Sequence, residues 1–411
     1  MANVWIVNPF DPLPGDEEQP GRYATLAALL RGQGHAVTWW TASFSHRFKR
    51  PIDQSPIIEQ CRSHGIDVRF LDVPSYKRNV SLQRIKSHRV YAQQFEKHAR
   101  QAASPDVIIA SNPPLESVAA AGRFAREVGA RLIVDVQDIW IDNFRQMLPS
   151  PIRLAWRCIL APWIRASREG FAHADAVVGV AAPYADEPRK FGRSEYRRLV
   201  VPLGIDLASF DKAAGRGRCL LPDKKPEEVW AVYSGSFSRN YDVLTVARVA
   251  ARLTRDRPSL RFIFSGRGEL EPQVREIVGD SARVTFLGFA PFEDWAATVR
   301  QCDVGFNAIW PQTFVWFPNK VFYYWAAGLA VMNSIPGECA EWVEKTQTGV
   351  TYTAGDVEDA SSRMLTLLDN PDALAAMRTR SRDAAEQRWD RQILYQPYIE
   401  LIEQLAGGEA T

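Results

Sequence analysis

Two cations set among glycines in the second half of this chain have the spacing to hold a diphosphate. In YSGSFSRNYD an apolar strand ends at Gly235, Ser236 follows, and Arg239 stands in a loop that enters a helix. In PNKVFYYWAAGLAVMNSIP, Asn319 and Lys320 stand at a second loop-to-helix junction, ahead of a buried strand. Glycine lets an anion approach the main chain, free amides at a helix start bind it, and an arginine fork or a lysine ammonium neutralises it. Such a pair suits a reaction whose leaving group departs as a diphosphate, where each preorganised donor is worth ~3–4 kcal/mol. FSGRGELEPQV adds Gly266, Arg267 and Gly268 at another strand end, a lone GxG pattern. VTFLGFAPFEDW turns at Gly288, which reads as a wall for a flat base or as an ordinary structural turn. Neither Asp nor Glu occurs between Pro318 and Pro336, although a carboxylate there would serve to hold sugar hydroxyls. Tyr323 and Tyr324 read as contacts for a nucleotide or, with Phe322 and Trp325, as helix packing.

The first half offers a different chemistry. A proline-rich, acidic loop leads into Gly21 and Arg22 at a helix start, which is either an anion-binding turn or an ordinary βα connection. In VDVQDIWIDNF, Asp135, Asp138 and Asp142 cluster around the carboxyl end of an apolar strand, where open α/β sheets bind ligands. Asp138 or Asp142 could take a proton from, or orient, an acceptor hydroxyl; the alternative is a helix cap. Residues 151–170 combine Trp156 and Trp163 with Ile152, Leu154, Ile159, Leu160 and Ile164, and with Arg153, Arg157, Arg165 and Arg168. That composition fits a helix lying in an anionic membrane interface, or one packed on its own domain.

These residues are positioned by a repeating pattern of short apolar runs and helical stretches. VWIVN, HAVTWWTA, IDVRFLDV, DVIIASN, RLIVDVQD, DAVVGV and RRLVVPLG fall in the first half. EVWAVYSGS, LRFIFSGRG, RVTFLGF, CDVGFNAI and LAVMNSI fall in the second. Near-continuous apolar runs separated by helices predict buried parallel strands, and hence two doubly wound α/β domains. The boundary is placed near VPLGIDLASF, giving domains over 1–203 and 204–387, with an amphipathic closing helix over 388–411 that packs back across both.

Composition agrees with a globular protein: 411 residues, 46% hydrophobic and 24% charged. Five scattered cysteines without paired spacing suit neither zinc nor a disulfide framework and point to a reducing cytoplasm. The opening residues read as no signal peptide, and no apolar run reaches spanning length. Residues 1–200 carry 27 Lys/Arg against 20 Asp/Glu, and residues 201–411 carry 23 against 28, so a net charge of +2 hides a basic first half. That half suits an anionic surface or substrate, or simply solvated charge; the absence of a Lys/Arg stripe with interleaved aromatics argues against nucleic acid.

In their order and wording, GRYATLAALLRGQGHAV, VPLGIDLASF, YSGSFSRNYD, FSGRGELEPQV, VTFLGF, PNKVFYYWAAGLAV and the closing helix resemble the GT-B glycosyltransferases, closest to glycosyltransferase family 4 and its bacterial surface-polysaccharide members. The resemblance covers almost the whole chain. It implies two Rossmann-like domains facing a cleft, an acceptor on the first, a nucleotide-diphosphate sugar on the second, and retaining transfer with no essential metal or cofactor. Carried over by residue, the glycine-rich turn falls on Gly235 and Ser236, with Arg239 where a lysine is more common, and the loop lysine falls on Lys320. The paired glutamates of relatives fall on Val315 and Tyr323, neither of which is acidic.

The sequence is therefore read as a cytoplasmic glycosyltransferase, peripheral on the inner membrane face through 151–170, that moves a hexose or deoxyhexose to a lipid-linked or polysaccharide acceptor. Catalytic roles are expected for Asp138, Arg239 and Lys320. Donor binding is expected from Gly235, Ser236, Arg239, Gly266, Arg267, Gly288, Asn319, Lys320 and Tyr323, and acceptor-side roles from Gly21, Arg22, Asp138 and Asp142. A nucleotide-sugar epimerase and a degenerate binding subunit are the alternatives.

Overall fold

A computed structural model of the chain describes residues 1–16 and 21–408. It divides into two compact units, one comprising Met1–Pro202 with the segment from Tyr395 onward, the other Leu203–Leu394. In the first unit the strands are β1 (Asn3–Val7), β2 (Ala36–Ala42), a small hairpin of β3 (Phe44–Ser45) and β4 (Arg50–Pro51), β5 (Ile66–Leu71), β6 (Val107–Asn112), β7 (Arg131–Val136), β8 (Ala176–Gly179) and β9 (Arg197–Val200). All but the hairpin form one parallel sheet ordered β5-β2-β1-β6-β7-β8-β9. The second unit holds β10 (Val229–Ser234), β11 (Leu260–Ser265), β12 (Val284–Gly288), β13 (Val304–Asn307), β14 (Ala330–Asn333) and β15 (Gly349–Thr351), in a parallel sheet ordered β12-β11-β10-β13-β14-β15.

The central strands are apolar on both faces because helices cover both faces. Val4, Ile6, Val7, Ile108, Ile109, Ile133 and Val134 are all completely buried. In each sheet the order reverses beside a central strand, β1 in the first and β10 in the second, and there the carboxyl ends of neighbouring strands open a crevice.

The closing segment departs from a single amphipathic helix over 388–411. It is divided into helices Arg391–Leu394 and Gln396–Ala406, with Pro397 in the first turn of the second. Trp389 stacks on Trp325 at 5.3 Å and packs edge-on to Phe317 and Phe322, which ties residues 388–394 to the second unit. Tyr395 and Tyr398 instead lie over the Arg22 guanidinium, and Glu403 meets His35 at 3.1 Å, which ties the last helix to the first unit.

Candidate functional site

In the second unit, chemistry collects where β10 ends. Gly235 has φ +150° and Gly266 has φ +137°, conformations that L side chains rarely adopt. The two turns are laced together: Gly235 donates to Ser265 O, Phe237 to Arg267 O, and Leu270 to Phe237 O, at 2.8–3.0 Å. A Cβ on Gly266 would stand 1.9 Å from Gly235 O, and one on Gly268 would stand 2.4 Å from Phe237 O. The GxG pattern is therefore explained by close packing of one turn on another. Gly266 also donates to Gly288 O at 2.8 Å, so Gly288 belongs to the same layer of turns.

Lys320 enters this layer from helix Asn319–Ala326. Gly305, in β13, admits the helix: a Cβ there would press to 2.6 Å from the Tyr324 ring. The buried Tyr324 hydroxyl accepts from Ser234 N at 3.0 Å and reaches Phe306 O at 3.3 Å, which pins the helix to the ends of β10 and β13. Lys320 Nζ then comes within 2.9 Å of where a Gly235 Cβ would be. The ammonium is buried and has no hydrogen-bond partner among the described residues. Its surroundings are the ring faces of Tyr233 and Tyr241, at 4.6 and 4.4 Å from their centroids. Burial lowers its pKa to about 7. A buried ammonium held only by π-faces is under-satisfied, and an anion at Gly235 would complete it.

The other expected donor residues are distributed around this point. Ser236 is exposed, and its carbonyl accepts from Tyr233 Oη at 2.8 Å. Asn319 is exposed at the helix start, and Arg267 is exposed on the adjoining turn. Arg239 does not join Lys320 in the buried pocket: its side chain is 84% exposed, with Nε 3.5 Å from Glu269 Oε1. Tyr323 is packed in a ring cluster with Phe210, Phe292 and Trp295, at 6.1, 5.9 and 5.4 Å. Trp295 Nε1 in turn donates to Ser234 Oγ at 2.9 Å. Phe322, Tyr324 and Trp325 are buried in the fold, so of the four helix aromatics only Tyr323 is partly exposed. The tyrosine cage of Lys320 escaped the sequence reading, although Tyr233 and Tyr241 bracket the glycine turn in YSGSFSRNYD.

In the first unit, Arg22 and Gly21 do not present an anion site. The Arg22 guanidinium is buried, donates to Asp135 Oδ2 at 2.8 Å and to the carbonyls of Val201 and Pro202 at 2.9 and 3.2 Å. Burial alone would lower its pKa, but the Asp135 carboxylate more than offsets that and raises it. At Gly21 the anion position of the helix start is taken by Asp11, whose Oδ2 accepts from Tyr23 N at 3.0 Å and would stand 2.5 Å from a Cβ on Gly21. Asp142 is engaged by the Lys190 ammonium, which also pairs with Glu187 at 2.7 Å.

Asp138 is placed differently. Its Oδ1 accepts from Ile139 N at 2.8 Å and from Asn143 Nδ2 at 2.7 Å, but it is not the cap of helix Trp140–Met147, whose N-cap is Ile139 without a side-chain cap bond. Burial raises its pKa against the pull of those donors and of Arg84. It stands at the carboxyl end of the sheet with Arg84, His88, His46, Lys49, Tyr76 and Trp140, none of which the sequence reading singled out. In residues 151–170, Trp163 turns inward, donating to Glu116 Oε1 at 3.0 Å and packing on Phe144 at 5.3 Å. The exposed apolar side chains are instead Met147, Ile152, Leu154 and Ile159. Beside them lies a cavity of about 440 Å³ whose lining includes Trp156, Arg157, Arg165 and Arg168.

A model described as "Glycosyl transferase 4-like domain" matches residues 20–204, and one described as "Glycosyl transferases group 1" matches residues 228–370. The chain belongs to the GT-B glycosyltransferases. Over 210 residues this glycosyltransferase chain is 25% identical to the GDP-mannose-dependent monoacylated alpha-(1-6)-phosphatidylinositol monomannoside mannosyltransferase of Corynebacterium glutamicum, a match covering 47% of the chain and 53% of that relative. The chain thus spans about half the length of the curated relative it matches. Its fold is similar to that of sucrose-phosphate synthase from Thermosynechococcus elongatus, with TM-score 0.73, 16% identity and 100% of each chain covered. It is also similar to Anabaena HepE in complex with UDP-glucose, with TM-score 0.65, 15% identity, and 98% of this chain and 100% of that one covered. Among the described residues no helix is long and apolar enough to cross a membrane, and no three or more His, Cys, Asp or Glu side chains are grouped so as to hold a metal ion.

Proposed function

We propose that this protein is a retaining glycosyltransferase that moves a hexose or deoxyhexose from a nucleotide-diphosphate sugar to a lipid-linked or polysaccharide acceptor in cell-surface glycan synthesis. The observation that carries the reading is the buried, unpartnered Lys320 ammonium beside the Gly235 turn. The donor diphosphate lies against that turn, with Lys320 at its oxygens. The nucleoside diphosphate class is supported by the UDP-glucose complex of HepE and the GDP-mannose dependence of the mannosyltransferase relative.

In the reaction, the acceptor oxygen bonds to the anomeric carbon as the bond from that carbon to the diphosphate oxygen breaks. The acceptor proton passes to a phosphate oxygen on the same face, so the configuration is retained. Charge grows on the diphosphate, and the preorganised ammonium stabilises it most in the transition state. Arg239, at the exposed rim, exchanges Glu269 for a phosphate oxygen when the donor arrives. The acceptor hydroxyl is oriented by the Asp138 carboxylate. No essential metal or cofactor is required: Lys320, Arg239 and main-chain amides supply the electrostatics.

The acceptor class is read from the first unit and from the relative, whose name describes a phosphatidylinositol glycolipid. Exposed Met147, Ile152, Leu154 and Ile159 beside Arg153 and Arg157 suit insertion at an anionic membrane surface, on its cytoplasmic face. The deciding experiment supplies the purified chain with a panel of nucleoside diphosphate sugars. At least one is expected to raise the melting temperature and undergo slow hydrolysis, both effects lost in Lys320→Met. Binding by none of them would end the reading.

A further inference from the structure

Four segments of the first unit enclose the cavity of about 440 Å³, which falls within the range of roughly 300–1,000 Å³ that small-ligand sites occupy. Helix Ala161–Ala172 supplies one wall: Ala161, Ile164, Arg165 and Arg168 recur at the spacing that puts side chains on one helix face. Helix Trp156–Ile159 adds Arg157, helix Trp140–Met147 adds Asp142, and the turn Glu187–Phe191 closes the far side. Beneath these the floor is apolar. Ile141 is packed with Leu115 and Leu160, and Ile164 and Phe191, both partly exposed, pack against that cluster. Phe191 also stacks on Phe171 at 5.6 Å, which fixes the turn in place.

The charges on the lining are unequal. Asp142 and Glu187 share the Lys190 ammonium, so the two acids are engaged within the wall. Burial alone would lower the Lys190 pKa, but Glu187 and Asp142 more than offset that and raise it. Arg157, Arg165 and Arg168 are exposed, and among the described residues no carboxylate lies within ion-pair distance of any of them. Arg157 instead lies 5.5 Å from the centroid of the Trp156 ring. Four cations thus stand against two carboxylates around one cavity. Arg165 and Arg168 are neighbours on a helix face, where like charges repel, and an anion held between them would relieve the repulsion.

A phosphate carrying a hydrocarbon chain answers both features. Guanidinium forks pair with phosphate oxygens, and the apolar floor takes the first carbons of the chain. Ile152, Leu154 and Ile159, on the adjoining segments, are exposed and offer that chain a path onward. On the inner side Glu187 feels the charge of Asp138 as well as that of Asp142, so the carboxylate that orients the acceptor hydroxyl stands near the cavity wall. We propose that this cavity is the subsite for the phosphate that joins the acceptor's sugar to its lipid, with Arg157, Arg165 and Arg168 at its oxygens. The role of the subsite rests on the transferase reading; its binding of one lipid phosphate, as distinct from attraction to a membrane surface at large, does not.

The test is titration calorimetry on the full chain with geranyl diphosphate, geraniol and inorganic diphosphate, kept below micellar concentration. Geranyl diphosphate is expected to bind at least about tenfold more tightly than either of the others, because only it presents both charge and chain. Arg165→Gln combined with Arg168→Gln, at two exposed positions, should erase that preference. Ala161→Leu should erase it too, since it keeps every charge but fills the cavity. Should Ala161→Leu fail to fold by circular dichroism, the arginine pair carries the test. Lys320→Met should keep the preference, because that lysine belongs to the donor turn. Vesicles of phosphatidylglycerol and phosphatidylcholine should sediment Ala161→Leu as they do the parent, because surface attraction through Arg153 and Leu154 does not need the cavity. Inorganic diphosphate binding as tightly as geranyl diphosphate, a preference surviving in a folded cavity variant or lost in Lys320→Met, or vesicle binding that falls in Ala161→Leu would each overturn the subsite. Nucleoside diphosphate binding measured on the same sample separates the two claims. If it is present without a geranyl preference, the subsite alone fails; if it is absent while the preference holds, the transferase reading fails.

Discussion

Lys320 Nζ stands 4.4 Å from the centroid of the Tyr241 ring, on the side chain's buried end, with no hydrogen-bond acceptor among the described residues. An ammonium so placed is costly in the empty protein and valuable once an anion arrives.

The first consequence concerns stability. Lys320 has a folded pKa near 7, below its unfolded value, so between the two the unfolded chain holds a proton that the folded chain does not. Stability therefore falls as pH drops from the ordinary lysine range toward about 7, and the penalty is complete below that. Lys320→Met should melt higher than the parent at neutral pH, by about 1–3 kcal/mol, with the difference vanishing at alkaline pH. Thermal melts across pH measure this, and parallel curves for the two proteins would contradict it.

Binding should be proton-linked in the opposite sense. A diphosphate favours the charged ammonium, so its affinity falls as pH rises above about 7, by at most tenfold per unit. Titration calorimetry at about pH 8, in buffers of different ionisation enthalpy, should reveal net proton uptake of up to about one. No buffer dependence there would mean that Lys320 does not meet the phosphates.

Asp138→Asn keeps an oxygen for the Ile139 amide and the Asn143 side chain, so stability should change by no more than ~1 kcal/mol. Turnover should drop by roughly 10²-fold, because the carboxylate orients the acceptor hydroxyl in the proposed reaction. Because burial raises the Asp138 pKa, the acid limb of the parent's pH profile should lie above the ordinary aspartate range and be absent from the variant.

Gly266→Ala tests whether the donor turn is a packed unit. Its Cβ would meet Gly235 O at 1.9 Å, and its φ is unfavourable to any side chain. We expect a loss of about 2–4 kcal/mol, with weakened nucleotide binding because Gly235 must move. A variant of parental stability would show that the turns separate freely.

Leu154→Glu and Arg153→Glu address the membrane reading. Sedimentation with vesicles rich in anionic lipid should weaken about fivefold or more for each, since an interfacial basic residue contributes about 1 kcal/mol and an exposed leucine more. Trp163→Phe should not matter in this assay, because that ring packs inward on Phe144. Binding indifferent to residues 153 and 154 would remove this face from the membrane.

The linear chain by itself determined the two parallel sheets. Runs such as VWIV, VIIA and LIVDV are apolar without alternation, which only a strand covered on both faces tolerates, and helical stretches between them dictate crossovers. It also marked Gly235, Gly266 and Lys320, because residue types that break ordinary propensities at strand ends and helix starts are visible locally. It could not tell a poised cation from a satisfied one. Arg22 and Lys320 both follow a loop and open a helix, yet Arg22 is ion-paired with Asp135, 113 positions away, while Lys320 meets only the rings of Tyr233 and Tyr241. Likewise Asp142 is engaged by Lys190, 48 residues on, and the Arg84 cluster is assembled from Phe10, the hairpin turn, Tyr76 and Trp140. Whether a charge is free or neutralised depends on partners brought together from distant segments, and those meetings are made only when the sheets and helices pack.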